Sequence, residues 1–588
     1  MARFLEPPPP VAGLGVTLDK TIDGTAFAGV ALLAFVAPFE TKAPLLRLPG
    51  QSISSVEACL LAAFAAWGFA IARSRRLPVW RTPFTWPWTA LIAAMLLSAA
   101  VSPVSRANAL HMTGRAAAAF GIYLMAVNGV TTSRRVRAVI AVALLSGVAV
   151  SALALFEYLR VGFVLDALRA FRPGLAWVGA HLRAGGPLQY PTIASMYLEV
   201  VFACGLGLLL HEIDGGADGW KRAPAKVAVL AVFAALLLVA DGIALTYTRA
   251  GLISIGASIL VAAFARRTAG FDAGGRALAA LAAGIVVVVS ASRSPQSLFL
   301  RFTSESQESW YRATIDAPES VVVDAGSETM IPLAITNAGR LTWDSRADPP
   351  ILLAYHWLAA DSNRVVAYEG SRTAFPAPVG EGETVAVSAR LHAPRQAGSY
   401  RIAWDVVQEQ RLWFTTEPGA IASVSNAVVR GAAGSIATTA PPLITVRPGR
   451  LVLWSAAAKM FAAHPLLGVG PDNFRLAYGE YTDLRAADPR VHANNMYIDL
   501  AAGGGIVVFA AFAWLLRSAA GCIASLLRRV TPQDAAIGAG IAAALAAIAI
   551  HGIVDSFLTF TPTYVLFAVV LGCGSRITEC GMRNADCV

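Results

Sequence analysis

Four short stretches hold the residue types that bind anions or move protons. Tyr247-Thr248-Arg249-Ala250-Gly251-Leu252 sets an arginine at the end of a long apolar run. A guanidinium in that place is met by water or an anion, or it snorkels to lipid headgroups. Arg183 precedes Gly185-Gly186 and then Pro191, where another apolar run begins, and it either reaches a headgroup or stays solvated. In His464-Pro465-Leu466-Leu467-Gly468-Val469-Gly470-Pro471-Asp472-Asn473-Phe474, Gly468 and Gly470 allow unusual backbone angles close to a bulky ligand. His492-Ala493-Asn494-Asn495-Met496-Tyr497 supplies a histidine, the side chain suited to proton transfer near neutral pH.

The elements that must position these residues are set by composition. The chain has 588 residues, 56% hydrophobic and only 14% charged, with net charge +10 and mean hydropathy +0.59. A soluble globular chain carries roughly 25% charged residues. So large a deficit excludes an ordinary cytosolic enzyme, a disordered chain and a nucleic-acid-binding domain. It indicates an all-α polytopic membrane protein. Apolar runs fall near 22–38, 55–72, 86–102, 108–128, 138–158, 191–210, 227–246, 250–265, 277–294, 497–516, 533–551 and 561–575. These predict about twelve transmembrane helices, nine in an N-terminal membrane region, 1–301, and three in a C-terminal one, 497–588. The Pro-rich start, Pro7 to Pro10, lacks a small-residue cleavage site after the first run, so no removable signal peptide is expected. The six cysteines follow no metal-ligand spacing and form no disulfide framework.

Loop charges orient the spans. The loops and tail assigned inside carry 18 Lys/Arg, among them Arg73, Arg76, Arg134, Lys221, Arg222, Arg267 and Arg529. The short loops assigned outside carry only Lys42, Arg47, Arg106 and Arg249. By the positive-inside rule both termini are cytoplasmic and the long insertion between spans nine and ten lies outside.

That insertion has two parts. In 302–449, Val385, Val387, Ala389 and Leu391 alternate with small or polar residues, as do Tyr400, Ile402, Trp404 and Val406. Turn clusters at Thr336 to Gly339, Asp361 to Asn363, Gly380 to Gly382 and Gln396 to Gly398 separate such runs. The pattern predicts an extracytoplasmic β-sandwich of immunoglobulin type, closed by a Gly/Ala/Ser/Thr linker at 431–442. Its aromatics (Trp343, Tyr355, Trp357, Trp404, Trp413, Phe414) either form its core or stack on sugar rings. Residues 450–496 read as a helical loop, with helices over Leu451 to Ala462 and Asp472 to Ala486, the second N-capped by Asp472. Segment 302–449 holds 11 Arg and no Lys against 15 Asp/Glu, whereas the rest of the chain is strongly basic. Most of that basic excess sets orientation, and few outward-facing arginines remain to meet an anion.

Within the spans, Glu199 and Asp241 are costly unless paired. His551 and Asp555, at i and i+4, share a helix face near the outer end of the eleventh span, on the same side as Arg249.

These motifs, in order, with Gly505-Ile506-Val507-Val508 opening the apolar helix beyond Asn495, resemble the O-antigen ligase and polymerase superfamily of bacterial envelope glycosyltransferases. The resemblance covers the membrane part, while the β-sandwich is an insertion that many members lack. It implies a bacterial inner-membrane enzyme that moves a glycan from undecaprenyl diphosphate onto an acceptor hydroxyl at the periplasmic face. The acceptor is lipid A–core in ligases and a second lipid-linked glycan in polymerases. No metal or cofactor is implied, because arginines hold the diphosphate. Arg450 occupies a position resembling the family's basic site in the large loop, so Arg249, Arg450 and Arg183 are the expected diphosphate ligands.

The chain departs from the family at one position. Ligases place a histidine directly before the downstream Asn, where this chain has Asn494. His492 lies two residues upstream, and in an extended segment i and i+2 point to one side. The expected site is therefore His492 and Asn494 at the acceptor hydroxyl, with Asn495, Gly468, Gly470 and Asp555 supporting. Arg475, Arg485 and Arg490 are read as solvated charges. Competing readings are a polysaccharide transporter or flippase with an external recognition domain, and a non-enzymatic envelope assembly protein.

Overall fold

The computed structural model describes residues 20–585, apart from 49–50, 76, 173, 179–180, 215–222, 271–273, 294–297, 299–300, 303–309, 348–349, 362–364, 368–369, 410–411, 417–422, 432–447, 483–487 and 529–530. Pro7 to Pro10, Ser362 and Asn363, the linker from 432 onward, and Arg76, Lys221, Arg222, Arg485 and Arg529 lie outside the described residues.

Helices occupy each apolar segment marked in the sequence. They are α1 (Lys20–Val36), α2 (Ser55–Ser74), α3 (Thr85–Ala100), α4 (Arg106–Gly129) and α5 (Ser133–Tyr158). After the short α6 (Gly162–Leu168) come α7 (Pro191–Asp214), α8 (Ala223–Leu245), α9 (Arg249–Thr268) and α10 (Gly275–Ser292). Beyond the insertion the loop helices are α11 (Arg450–Ala463) and α12 (Phe474–Tyr481), followed by α13 (Met496–Arg528), α14 (Pro532–His551) and α15 (Thr561–Ala585). Among the described residues, 8 helices are long and apolar enough to cross a membrane: α2, α5, α7 to α10, α13 and α14. α1, α3 and α15 are shorter apolar helices over their described residues.

Local chemistry starts these helices where the sequence changes character. Ser54 and Glu57 form a reciprocal capping box on α2. Thr531 caps α14 through the Asp534 N–H, with Pro532 in the first turn, where its missing N–H costs nothing. α7 is buried on every face from Ile193 to His211, which makes it the centre of the bundle. It packs against α5, α8, α9 and α14. α13 is longer than the predicted span and is broken at Gly505, whose φ of 65° and ψ of −169° interrupt the helix. A Cβ at Gly505 would lie 2.3 Å from the Leu466 carbonyl oxygen, so the glycine lets the kink seat against the loop before it.

A separate β-sheet region follows the N-terminal helices. Its strands are β5 (Ala313–Asp316), β6 (Ser320–Asp324), β7 (Glu328–Asn337), β8 (Ile351–Ala359), β9 (Val365–Ala367), β10 (Thr373–Ala374), β11 (Thr384–His392), β12 (Gly398–Gln408), β13 (Leu412–Trp413) and β14 (Ser423–Arg430). Four earlier short strands form two pairs, β1 (Leu46–Leu48) with β2 (Gln51–Ile53) and β3 (Ala176–Val178) with β4 (His181–Arg183). The larger sheet runs β10-β8-β12-β14-β6, with β9 on β8 and β13 on β12, and the smaller runs β11-β7-β5. Both alternating runs recognised in the sequence are strands, β11 and β12. Their inward residues Val387, Leu391, Ile402 and Trp404 share one apolar cluster with Leu333, Trp343 and Trp357. The aromatics Trp343, Tyr355, Trp357, Trp404 and Phe414 are buried, so they build this core and are not available to stack on sugars.

Two sequence expectations in the helical loop change. α12 begins at Phe474, and its preceding residue is Asn473. Asp472 has φ of 62° and does not cap the helix. Its carboxylate instead accepts from Arg475 at 2.9 Å and from Asn108 at 3.2 Å. A short polar side chain tolerates this left-handed geometry better than a branched one.

Candidate active site

The arginines converge on the turn between α8 and α9. A helix C-terminus leaves carbonyls without intrahelical partners, and these carry partial negative charge. Here three successive carbonyls each accept from a different arginine. Arg293 Nη2 donates to Leu245 O at 2.9 Å, Arg183 Nε to Thr246 O at 2.9 Å, and Arg301 Nε to Tyr247 O at 3.0 Å. Arg183 Nη2 also donates to Thr192 and Thr248 hydroxyls at 3.2 and 3.1 Å. Tyr247 adopts φ of 56°, and its ring lies beneath Arg293 and Arg301, 4.9 and 5.6 Å from their guanidinium carbons. Arg249 starts α9 directly after this turn.

Arg450, at the start of α11, is close enough for its charge to act on Arg249 and Arg301. Its Nη2 donates to Val554 O at 3.2 Å. The next residue, Asp555, is the carboxylate that acts on Arg183. Burial pushes the Arg183 pKa down to about 10, with Asp555 opposing and Arg293 adding to the fall. Burial, then the charges of Arg183, Arg249 and Arg450, pushes Arg301 down to about 9. Several guanidiniums thus share a partly desolvated site with few carboxylates, an arrangement that an anion relieves. The sequence pointed to Arg183, Arg249 and Arg450. Arg293 and Arg301 were missed, because nothing in their local spacing reveals the turn they reach.

The loop bearing Arg183 is itself pinned. Glu157 forms a buried ion pair with Arg172, and its Oε2 accepts from the N–H groups of Gly185 and Gly186 at 3.0 and 2.9 Å.

His492 lies on the other flank of the 554–556 segment. Its Nδ1 is 3.4 Å from Asp499 Oδ2 and 3.8 Å from Asp472 Oδ1. These are ion-pair separations; neither is a well-formed hydrogen bond. Ser556 donates to the same Asp499 oxygen at 2.7 Å. Burial alone lowers the His492 pKa, but the Asp499 and Asp472 carboxylates outweigh it and hold the imidazole above its ordinary value. Segment 554–556 therefore touches both groups: Val554 meets Arg450, and Ser556 meets the acid that faces His492.

The supporting residues separate. Asn494 has φ of 51°, so the segment is not extended there and the shared-side argument for His492 and Asn494 does not apply. Asn495 caps α13, its Oδ1 accepting from the N–H groups of Tyr497 and Ile498, each at 3.0 Å. Gly468 and Gly470 do have positive φ, 63° and 105°. Their neighbours are protein, however: a Cβ on Gly468 would lie 2.3 Å from Gly503 O, and one on Gly470 2.4 Å from Asn473 Nδ2. These glycines let the loop pack closely on α13 and on Ser102, just beyond α3. Arg475 and Arg490 are paired with Asp472 and Asp488, each at 2.9 Å.

Below the arginine turn, Glu199 pairs with His551 rather than with an arginine, and Ser195 donates to the same carboxylate at 2.6 Å. Asp241 accepts from Ser292. An apolar cleft lies beside the His492 group. Trp88, Leu91, Val508, Phe512 and Phe567 wall it, and its polar lining includes Asp472, Asp499 and Ser556.

Residues 412–513 match the family model described as O-Antigen ligase. That stretch runs from β13 through both loop helices into α13, and so contains Arg450, His492 and Asp499. The resemblance carried by the sequence motifs holds over it: a multi-pass helical membrane chain bears an O-antigen ligase-like segment. No curated protein matches the chain. Among solved structures, the ASH / PapD-like domain of human CEP192 (PapD-like domain 7) aligns at 15% identity and TM-score 0.13, covering 22% of this chain and 92% of its own.

Proposed function

We propose that the protein is a membrane glycosyltransferase, ligase-like, that moves a glycan from undecaprenyl diphosphate to an acceptor hydroxyl in surface polysaccharide or lipopolysaccharide biosynthesis. The arginine cluster at 245–249 carries this reading. In the transfer, the acceptor oxygen attacks the anomeric carbon and the bond from that carbon to the diphosphate oxygen breaks. The departing diphosphate gains charge, which Arg183, Arg249 and Arg450 neutralise through fixed donors that do not titrate near neutral pH. The hydroxyl proton passes to His492, whose positive charge the nearby Asp499 carboxylate stabilises, while Asn494 hydrogen-bonds the acceptor. The Asp555 carboxylate, on the segment between the two groups, acts on the charge of Arg183. Inversion at the anomeric carbon follows from the family resemblance. The apolar cleft suits the hydrocarbon part of a lipid substrate. No step in this scheme calls on a metal or cofactor.

In this reading about twelve helices span the bacterial inner membrane with both termini cytoplasmic, and the sheet region is an immunoglobulin-type β-sandwich on the periplasmic side. The purified full chain, given a lipid-linked glycan and separate acceptors, tests the proposal. Glycosylated lipid A–core marks a ligase, extension of a second lipid-linked glycan marks a polymerase, and a glycosylated protein marks protein glycosylation. Donor binding with no acceptor modified sinks the enzyme reading.

A further inference from the structure

The inserted segment 302–449 is flanked directly by Arg301 and Arg450, and both side chains reach the same cluster. Arg301 docks on the arginine turn through Tyr247 O at 3.0 Å, two residues from Arg249. Arg450 docks on Val554 O at 3.2 Å, beside Asp555. Among the described residues each makes one hydrogen bond of the five that a guanidinium can donate. We propose that Arg301 is a further ligand of the diphosphate anion, and that this anion bridges Arg301 and Arg450, the two residues that flank the insertion.

The inference rests on the diphosphate reading of the cluster and extends it to a residue outside the matched motifs. Electrostatics favours it. Arg301 feels the positive charges of Arg183, Arg249 and Arg450 together, and the carboxylate acting within this group is Asp555, on Arg183. A polyvalent anion between Arg301 and Arg450 turns that repulsion into attraction. Tyr247, through its carbonyl and its ring, gives Arg301 neutral partners, which do not balance its charge. The consequence is physical: donor occupancy changes how firmly Arg301 and Arg450, the residues that flank the insertion, are held.

Hydrogen–deuterium exchange on the full chain in detergent, with inorganic pyrophosphate as probe and sulfate at matched ionic strength as control, tests this. In the wild type, pyrophosphate slows exchange at 245–252, at 298–302 and at 448–456. Arg301→Gln weakens pyrophosphate binding roughly tenfold, the loss of about one charge-assisted contact, and removes the response at 448–456. Arg301→Lys, which keeps the charge and loses the fork, falls between them and covers the case in which the glutamine variant does not fold. If Arg301→Gln binds pyrophosphate as the wild type does and 448–456 still responds, Arg301 only caps Tyr247. The inference then fails while the diphosphate reading stands. If pyrophosphate protects none of the three segments in the wild type, both fail together.

Discussion

His551 Nδ1 lies 2.9 Å from both carboxylate oxygens of Glu199, 352 positions earlier in the chain. Both side chains are buried, and the pair fastens the end of α14 to the middle of α7. Four residues beyond His551 stands Asp555, whose N–H donates to His551 O at 3.1 Å. The pair thus fixes the platform from which Val554 and Ser556 reach the two halves of the site.

Removing one partner of a buried pair leaves the other uncompensated. Glu199→Ala is therefore expected to destabilise the protein by about 3–5 kcal/mol, read as a fall in its thermal midpoint in detergent. Glu199→Gln keeps a hydrogen-bond acceptor and loses less. Equal midpoints for the wild type and the alanine variant contradict the role given to the pair.

Arg249→Ala is expected to lower turnover by about 10²–10³-fold with normal expression and unchanged melting. Arg249→Lys restores part of the charge but not the bidentate fork, and recovers only part of the rate. Steady-state transfer assays read both. An interface-anchoring arginine predicts the opposite pattern, altered stability with intact turnover.

His492 gives a pH signature. Its pKa is raised by Asp499 and Asp472 against burial, and a base must be neutral to accept a proton. Activity should therefore rise with pH through a value above the ordinary ~6.5 of histidine. Asp499→Asn removes the nearer carboxylate and moves this limb to lower pH. For stability the sign is opposite. The ion pair contributes fully below the unfolded value and is lost as pH rises through the raised folded value. Melting in detergent should reveal a midpoint that falls across that window in the wild type and less in Asp499→Asn.

Gly468→Ala tests the packing role of the loop. The new methyl would lie 2.3 Å from Gly503 O at a φ of 63°, so strain and overpacking should cost about 1–3 kcal/mol each. The thermal midpoint falls accordingly. An unchanged midpoint returns Gly468 to the ligand-facing role.

Periodicity and motif order carried much of the architecture. The apolar segments are helices, the alternations at 385–391 and 400–406 are β11 and β12, and Leu451 to Ala462 lies in α11. These features are local, so side-chain spacing reports them. What spacing cannot report is a meeting made by packing. Arg293, at the end of α10, and Arg301 join the cluster because both side chains reach carbonyls of the α8–α9 turn. Asp499 partners His492 from the first turn of α13. Asp472 looked like an N-cap because its type and place fit one, but Asn108 on α4 and Arg475 claim its carboxylate instead. The His492–Asn494 argument assumed an extended chain, and the left-handed Asn494 removes that assumption.

The central claim is tested most directly by single-turnover transfer. Full-length protein in liposomes is loaded with a glycan on undecaprenyl diphosphate, mixed with excess acceptor, and the release of undecaprenyl diphosphate is followed against glycosylated acceptor. The account predicts one released lipid diphosphate per glycan transferred in the wild type, and negligible release from Arg249→Ala under the same conditions. Equal release by both proteins, or bound donor that stays intact with every acceptor, contradicts it.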